Sequence, residues 1–99
     1  MIYLRRVVGE SMLPTLRPGT LIIAVRRRHI QPGDIVIIWH AGREKIKRVR
    51  ELTAAELFVV GDNAVASTDS RNFGWLPRPR RVPKVIWPRA SKRATMSED

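Results

Sequence analysis

The chain has 99 residues, of which 43% are hydrophobic, and both values suit a single globular domain with a modest core. Cysteine is absent, which excludes disulfides, thiolate metal sites and cysteine nucleophiles. The net charge of +10 permits contact with an anionic surface, but nucleic-acid binding is not favoured, because helix-turn-helix and zinc-finger spacings are absent and the aromatic residues do not interleave with the basic ones.

Runs of β-branched or alternating residues between turn signals predict a mainly antiparallel β domain. In chain order the predicted strands lie within residues 3–9, 19–27, 33–40, 44–52, 56–63 and 80–88. The 44–52 run alternates with period two, which predicts one largely charged face. The segment 53–57 is predicted to be a turn between strands. Pro83 restricts the last strand to a sheet edge or a bulge, since proline donates no backbone hydrogen bond.

The domain is predicted to span residues 1–88, followed by a flexible basic tail at 89–99. No apolar run approaches the roughly 20 residues that a transmembrane helix needs. The N-terminus also lacks the apolar core of a signal peptide. We therefore expect a soluble, cytoplasmic protein, and the basic surface permits peripheral association with membranes.

One serine, Ser11 in the stretch GESMLPTL, is a candidate nucleophile. A serine hydroxyl needs a base within hydrogen-bond reach, because it holds its proton at neutral pH. His29 and His40 have no recognisable triad setting, and two histidines are too few for a metal cluster. The segment KIKR at 45–48 offers lysines, and burial of one would lower its pKa towards the 7–8 that a general base needs. From the residues alone, a turn serine and solvated lysines remain the alternatives.

The segment VGDNAVASTDSRNFG at 60–74 gathers carboxylate, amide, hydroxyl and guanidinium side chains in one predicted loop. Its acidic residues do not have the spacing of an EF-hand calcium loop, and no terminal glutamate follows. Asp69 and Arg71 are two residues apart, so on an extended segment they would face the same side and can pair.

Four segments in order, GESMLPTLRPG, GDIV, IKRV and GDNAVASTDSRNFG, resemble the motifs of the type I signal peptidases and their relatives, the S26 family of serine/lysine-dyad peptidases. The resemblance covers residues 7 to about 76. It implies the compact antiparallel β fold of signal peptidases and of SOS-repressor C-terminal domains. It also implies the roles of individual residues.

By this resemblance Ser11 is the nucleophile and Lys47 the general base, while Lys45 takes no part. Ser67 would hydrogen-bond the lysine amine. The resemblance assigns further residues to the support of the site, namely Asp69 and Arg71 as a bracing pair and Asp62 and Asn63 in the turn that shapes it.

The oxyanion site implied by the resemblance rests on backbone groups. Gly9 stands where some relatives have a side-chain hydroxyl, so backbone N–H groups, that of Ser11 above all, must stabilise the oxyanion. Gly9 and Met12 are therefore assigned to the oxyanion and substrate-binding region. Neither a metal nor a cofactor is expected.

The implied function is that of a serine endopeptidase that removes an N-terminal leader or propeptide from a protein with small residues before the cleaved bond. Within the family, the short motifs are most similar to the small soluble maturation proteases of nickel-type superoxide dismutase. Two alternatives remain: a non-catalytic basic binding module on the same fold, and a signal peptidase that works with a separate membrane anchor. The presence together of Ser11, Lys47, Ser67, Asp69 and Arg71 favours the enzyme.

Overall fold

A computed structural model describes residues 1–90 and contains seven strands and two short helical turns. The strands are β1 Ile2–Arg6, β2 Leu21–Arg27, β3 Ile35–His40, β4 Arg43–Leu52, β5 Glu56–Val60, β6 Leu76–Pro77 and β7 Val82–Trp87, with a 3-10 turn at Ala64–Ala66 and helix α1 at Ser70–Phe73. All neighbouring strands are antiparallel, in the order β1-β2-β7-β3-β4-β5-β6. The prediction of a mainly antiparallel β domain is therefore confirmed.

The helical segments of residues 1–90 are each about one turn long, and none is long and apolar enough to cross a bilayer. Residues 53–55 link β4 to β5, as the predicted turn requires. Most of the predicted tail, residues 91–99, lies outside the described residues, so the boundary at residue 88 stays a prediction.

The β3–β4 hairpin sets the position of the lysine-bearing strand. Its two turn residues, Ala41 and Gly42, both have positive φ values, 52° and 75°, which matches the twist of a two-residue hairpin. The resulting register places Val36 opposite Lys47. Because Val36 is completely buried, the hairpin directs Lys47 towards the interior.

Two hydrophobic clusters cover the two faces of β3. Ile35 and Ile37 belong to the first cluster, whereas Val36 and Ile38 belong to the second. The first cluster also contains Met12 and Leu16 from the β1–β2 connection, together with Val7, Ile22 and Ala24. Full burial of side chains of this size contributes about 1.5–3 kcal/mol each. Packing of the first cluster therefore holds the chain that follows Ser11 against the sheet.

The prediction that Pro83 lies at a sheet edge or in a bulge is wrong. Strand β7 lies between β2 and β3, and the irregularity of its pairing with β2 falls at Ile23/Ala24, away from the Arg26 that faces Pro83. The pairing of β7 with β3 is limited to Val36 and Lys84. A strand that makes so few ladder bonds on one side tolerates a residue without an N–H.

The predicted charged face of β4 is also wrong in its middle section. Lys47, Arg48 and Val49 are buried in succession, at 4%, 5% and 1% exposure, so inward and outward residues do not alternate there. Both faces of β4 are covered at this point, because Lys47 is bonded to Ser67 and Arg48 is bonded to the buried carboxylate of Asp62. A strand covered on both faces loses the period-two pattern that sequence reasoning relies on.

Candidate active site

Ser11 lies on the connection between β1 and β2, and its main chain is held from the segment that follows β5. The Asn63 N–H donates to the Ser11 carbonyl at 2.8 Å, and the Asn63 side-chain amide donates to the Glu10 carbonyl at 3.1 Å. Below it, Met12 is fully buried in the first core cluster. Ser11 itself is half-buried, and hydrogen bonds from Asn63 hold both its own carbonyl and that of Glu10.

Lys47 is the predicted base, and it is buried. The residue is 4% exposed, and Nζ donates a hydrogen bond to Ser67 Oγ at 2.9 Å. Burial lowers the pKa of Lys47, because the charged form loses its hydration. The carboxylate of Asp69 acts in the opposite direction, while the positive charges of Lys45 and Arg71 lower the pKa further. The net effect is a lysine that gives up its proton more readily than a free one.

The orientation of the Lys47–Ser67 hydrogen bond is determined by Asp69. Ser67 Oγ donates to Asp69 Oδ2 at 2.5 Å, and an ionised carboxylate can only accept. Since the Ser67 proton is used on Asp69, the Ser67 oxygen must accept an N–H from Lys47. A neutral Lys47 held in this way keeps its lone pair free for another proton donor.

Asp69 is fully buried and ionised, and Arg71 is its main partner. Arg71 donates from Nη2 at 2.6 Å and from Nε at 3.0 Å, and the Gly61 N–H donates at 2.7 Å. Burial alone would raise the pKa of Asp69, but the hydrogen bonds from Arg71, Ser67 and Gly61 outweigh it and lower the pKa well below its usual range. Asp69 also accepts the Arg71 N–H and so caps α1.

Gly61 allows Ser11 and Ser67 to approach the same point of the chain. A Cβ at position 61 would lie 2.6 Å from Ser67 Cβ and 2.7 Å from the Ser11 carbonyl oxygen. Only glycine fits there without displacing either segment. The sequence carried this signal in the Gly-Asp-Asn motif, but sequence reasoning gave the glycine no role of its own.

Asp62 does more than shape a turn. It accepts hydrogen bonds from Arg48 Nε at 2.8 Å and Nη2 at 2.7 Å, and from the Thr15 hydroxyl at 2.5 Å. Sequence reasoning missed Arg48 and Thr15. The sequence held one signal for Arg48. Lys47 and Arg48 are neighbours in a strand and point to opposite sides of it, so one of the two charged side chains must face inward.

Ser11 and Lys47 line one open cavity of about 320 Å³. Its walls are residues 5–12 on one side and Arg43–Lys47 of β4 on the other, with Ala66 and Thr68 between them. Gly9, at a φ of 79°, also lines the cavity. Since the Met12 side chain is packed in the core, the main chain is the part of Met12 available to a bound molecule.

The other residues considered as a general base, two histidines and a second lysine, differ in their position relative to the cavity. Neither His29 nor His40 lines the cavity; His29 is exposed, and His40 stacks on Phe73 with ring centroids 3.8 Å apart. Lys45 does line it, with Nζ 5.0 Å from the centre of the Phe73 ring. Lys45 was expected to take no part, yet its charge contributes to the lowered pKa of Lys47.

The chain was compared with models of protein families and with curated proteins. The family model described as Peptidase S24-like matches residues 1–72. This span includes Ser11, Lys47, Ser67, Asp69 and Arg71. No curated protein is significantly similar to the chain.

Proposed function

Because the chain belongs to the Peptidase S24-like family, we propose that it is a serine endopeptidase in which Ser11 is the nucleophile and Lys47 the general base. The motifs resemble the S26 family, and the matching family supports the same peptidase-like β fold at a coarser level. The observation that carries the proposal is the state of Lys47, which is buried, has a lowered pKa and lines one cavity with Ser11.

In the proposed reaction, Ser11 Oγ attacks the carbonyl carbon of a peptide bond while neutral Lys47 accepts its proton. Lys47 then returns the proton to the leaving amine as the C–N bond breaks. Water hydrolyses the resulting acyl-enzyme, again with Lys47 as base, and restores the serine. Ser67 keeps the amine in place throughout, since its hydrogen bond to Lys47 uses an N–H that both charge states possess.

The oxyanion would be bound by main-chain groups. Gly9 has no side chain, and Met12 presents its main chain, so the backbone N–H of Ser11 and of its neighbours are the available donors. The hydrogen bonds from Asn63 to the Ser11 and Glu10 carbonyls support the backbone that carries these donors.

A substrate would lie in extended form along β4. Strand β5 pairs with β4 only from Arg48 onwards, so within residues 1–90 the segment Arg43–Lys47 has β3 on one side and the cavity on the other. An exposed strand edge of this kind binds a peptide through main-chain hydrogen bonds. Such a mode holds the main chain of a peptide beside Ser11 and leaves selection among peptides to their side chains.

For the substrate we propose a protein with an N-terminal leader or propeptide and small residues before the cleaved bond, specifically the precursor of a nickel-type superoxide dismutase. The support for this substrate is the resemblance of GESMLPTLRPG and DSRNFG to the maturation proteases of that enzyme.

The test is incubation of the purified protein with such a precursor, followed by intact-mass analysis of the products. We expect one cleavage by the parent chain and by Lys45→Arg. Ser11→Ala should cleave nothing because it lacks the nucleophile, and Lys47→Arg should cleave nothing because guanidinium stays protonated. Cleavage by Ser11→Ala at the parent rate would overturn the dyad. If the protein cleaves an unrelated Ala-containing peptide and leaves the precursor intact, only the proposed substrate is wrong. A folded chain that binds the precursor and cleaves nothing would favour a non-catalytic module.

A further inference from the structure

Basic side chains outnumber acidic side chains among the residues that line the cavity. Five of its lining side chains are basic and two are acidic. One of the acidic residues, Glu44, already accepts a hydrogen bond from Arg5 Nε at 2.7 Å across the cavity. The remaining acidic residue, Glu10, cannot balance the other basic groups, so the cavity carries a net positive charge even when Lys47 is neutral.

Besides Lys47, three of the basic residues form no ion pair among residues 1–90, namely Arg6, Arg43 and Lys45. Arg6 donates to the Gly19 carbonyl at 2.9 Å, whereas Arg43 is exposed at the start of β4 and Lys45 lies over the aromatic ring of Phe73. Elsewhere in the described chain the buried carboxylates Asp62 and Asp69 are each paired with an arginine. Arg43 and Lys45 are therefore available to a molecule bound in the cavity.

The spacing of these residues along β4 defines where they would act. Residues 43, 45 and 47 point to the same side of the strand, so Lys45 and Arg43 lie about 7 Å and 13 Å from Lys47 along it. A bound peptide in extended conformation has the same rise per residue. Side chains two and four residues from the cleaved bond would then lie beside Lys45 and Arg43.

We infer that the cavity selects peptides that carry acidic side chains about two and four residues from the cleaved bond, with Lys45 and Arg43 as the residues that recognise them. This inference rests on the proposed function and adds a substrate class to it. Because both cations are partly solvated, each contact is a modest one, and the selection should depend on ionic strength.

The test uses the Ser11→Ala variant and three fluorescein-labelled dodecapeptides. Each has a central Ala-Ala bond, with glutamate, glutamine or lysine placed two and four residues to either side of it. We expect the glutamate peptide to bind about 2- to 10-fold more tightly than the glutamine peptide in fluorescence anisotropy at about 0.05 M salt. The lysine peptide should bind least, and the differences should shrink at about 0.5 M salt.

Charge-matched variants separate the cavity from the general basic surface. Arg43→Gln and Lys45→Gln, each combined with Ser11→Ala, should each remove part of the preference for glutamate. Arg80→Gln, which removes an exposed arginine that does not line the cavity, should leave the preference intact.

Equal binding of the glutamate and glutamine peptides would overturn the inference. It would also be overturned if Arg80→Gln weakened binding as much as Arg43→Gln, or if a single-stranded oligonucleotide of equal charge displaced the glutamate peptide at lower concentration. Cleavage by the parent chain separates the two proposals. Equal cleavage of the glutamate and glutamine peptides would refute only the charge selection, whereas selective binding without any cleavage would refute only the peptidase.

Discussion

Arg48 and Asp62 form a buried, two-point ion pair that joins β4 to the segment after β5. Their side chains are 6% and 1% exposed, and the two hydrogen bonds measure 2.8 Å and 2.7 Å. Arg48 directly follows Lys47 in the chain, and Asp62 also accepts the hydroxyl of Thr15, four residues after Ser11. The pair thus connects the strand that carries the proposed base with the segment that carries the proposed nucleophile.

Removal of Asp62 should be severely destabilising. In Asp62→Ala the Arg48 guanidinium stays buried without its carboxylate, and we expect a loss of about 3–5 kcal/mol in the free energy of unfolding. Thr15→Val is the matched control, because it removes one hydrogen bond to the same carboxylate and should cost about 1–2 kcal/mol. Urea denaturation of both variants measures the difference. Equal losses would show that the ion pair adds nothing beyond a single hydrogen bond.

Gly61→Ala should disturb the site more than the rest of the fold. The added methyl group overlaps Ser67 and the Ser11 carbonyl, so one of these segments must move. A displacement of about 1 Å at such a site can cost about 100-fold in rate. We expect kcat/KM to fall by at least about 10-fold while the far-ultraviolet circular dichroism stays that of the parent. A Gly61→Ala variant with the parent's kcat/KM would contradict the geometry.

Ser67→Ala and Ser70→Ala compare two hydroxyls that accept hydrogen bonds in the same region. Ser67 holds the Lys47 amine, whereas the buried Ser70 hydroxyl accepts the Val59 N–H at 2.9 Å. Loss of Ser67 should lower kcat/KM by about 10- to 100-fold, equivalent to about 1.4–2.8 kcal/mol. Loss of Ser70 should lower the melting temperature and leave kcat/KM of the folded protein unchanged. If Ser67→Ala lowers only the melting temperature while Ser70→Ala lowers kcat/KM, Ser67 has no part in the proposed reaction.

The pH dependence of kcat/KM should reflect Lys47. Only the neutral amine accepts a proton, so activity should rise with pH through a pKa below that of a free lysine, about 10.4. The positive charge of Lys45 helps to lower the pKa of Lys47, so Lys45→Gln should move this rise to higher pH. His40→Ala should not move it. A rise that shifts in His40→Ala and not in Lys45→Gln would exclude Lys47 as the base.

Arg71→Ala and Ser11→Ala should differ in what they change. Asp69 is completely buried, so removal of Arg71 deprives that carboxylate of its main partner and should cost about 2–3 kcal/mol of stability. Activity should fall as well, since Asp69 orients Ser67. Ser11→Ala should abolish activity at an almost unchanged melting temperature. An Arg71→Ala variant that melts like the parent and is inactive would place Arg71 in substrate binding or chemistry.

Six of the seven strands and the motifs that suggest a peptidase could be predicted from the sequence, whereas the two-residue strand β6 was missed. Strand runs such as 21–27 and 35–40 are recognisable because β-branched residues and the flanking proline and glycine act locally on the backbone. Ser11 and Lys47 stood out because their residue types and motif context limit the chemistry that they can perform. These are properties of neighbouring residues in the chain.

Only the tertiary structure decided which side chains are buried and what they contact. The interior position of Pro83, the burial of Arg48 and the close approach at Gly61 all depend on segments distant in the chain. The pKa of Lys47 is likewise lowered mainly by burial, and Arg71, which is distant in the chain, lowers it further. Burial and electrostatic energies depend on distances in space, and the spacing of residues along the chain does not determine those distances.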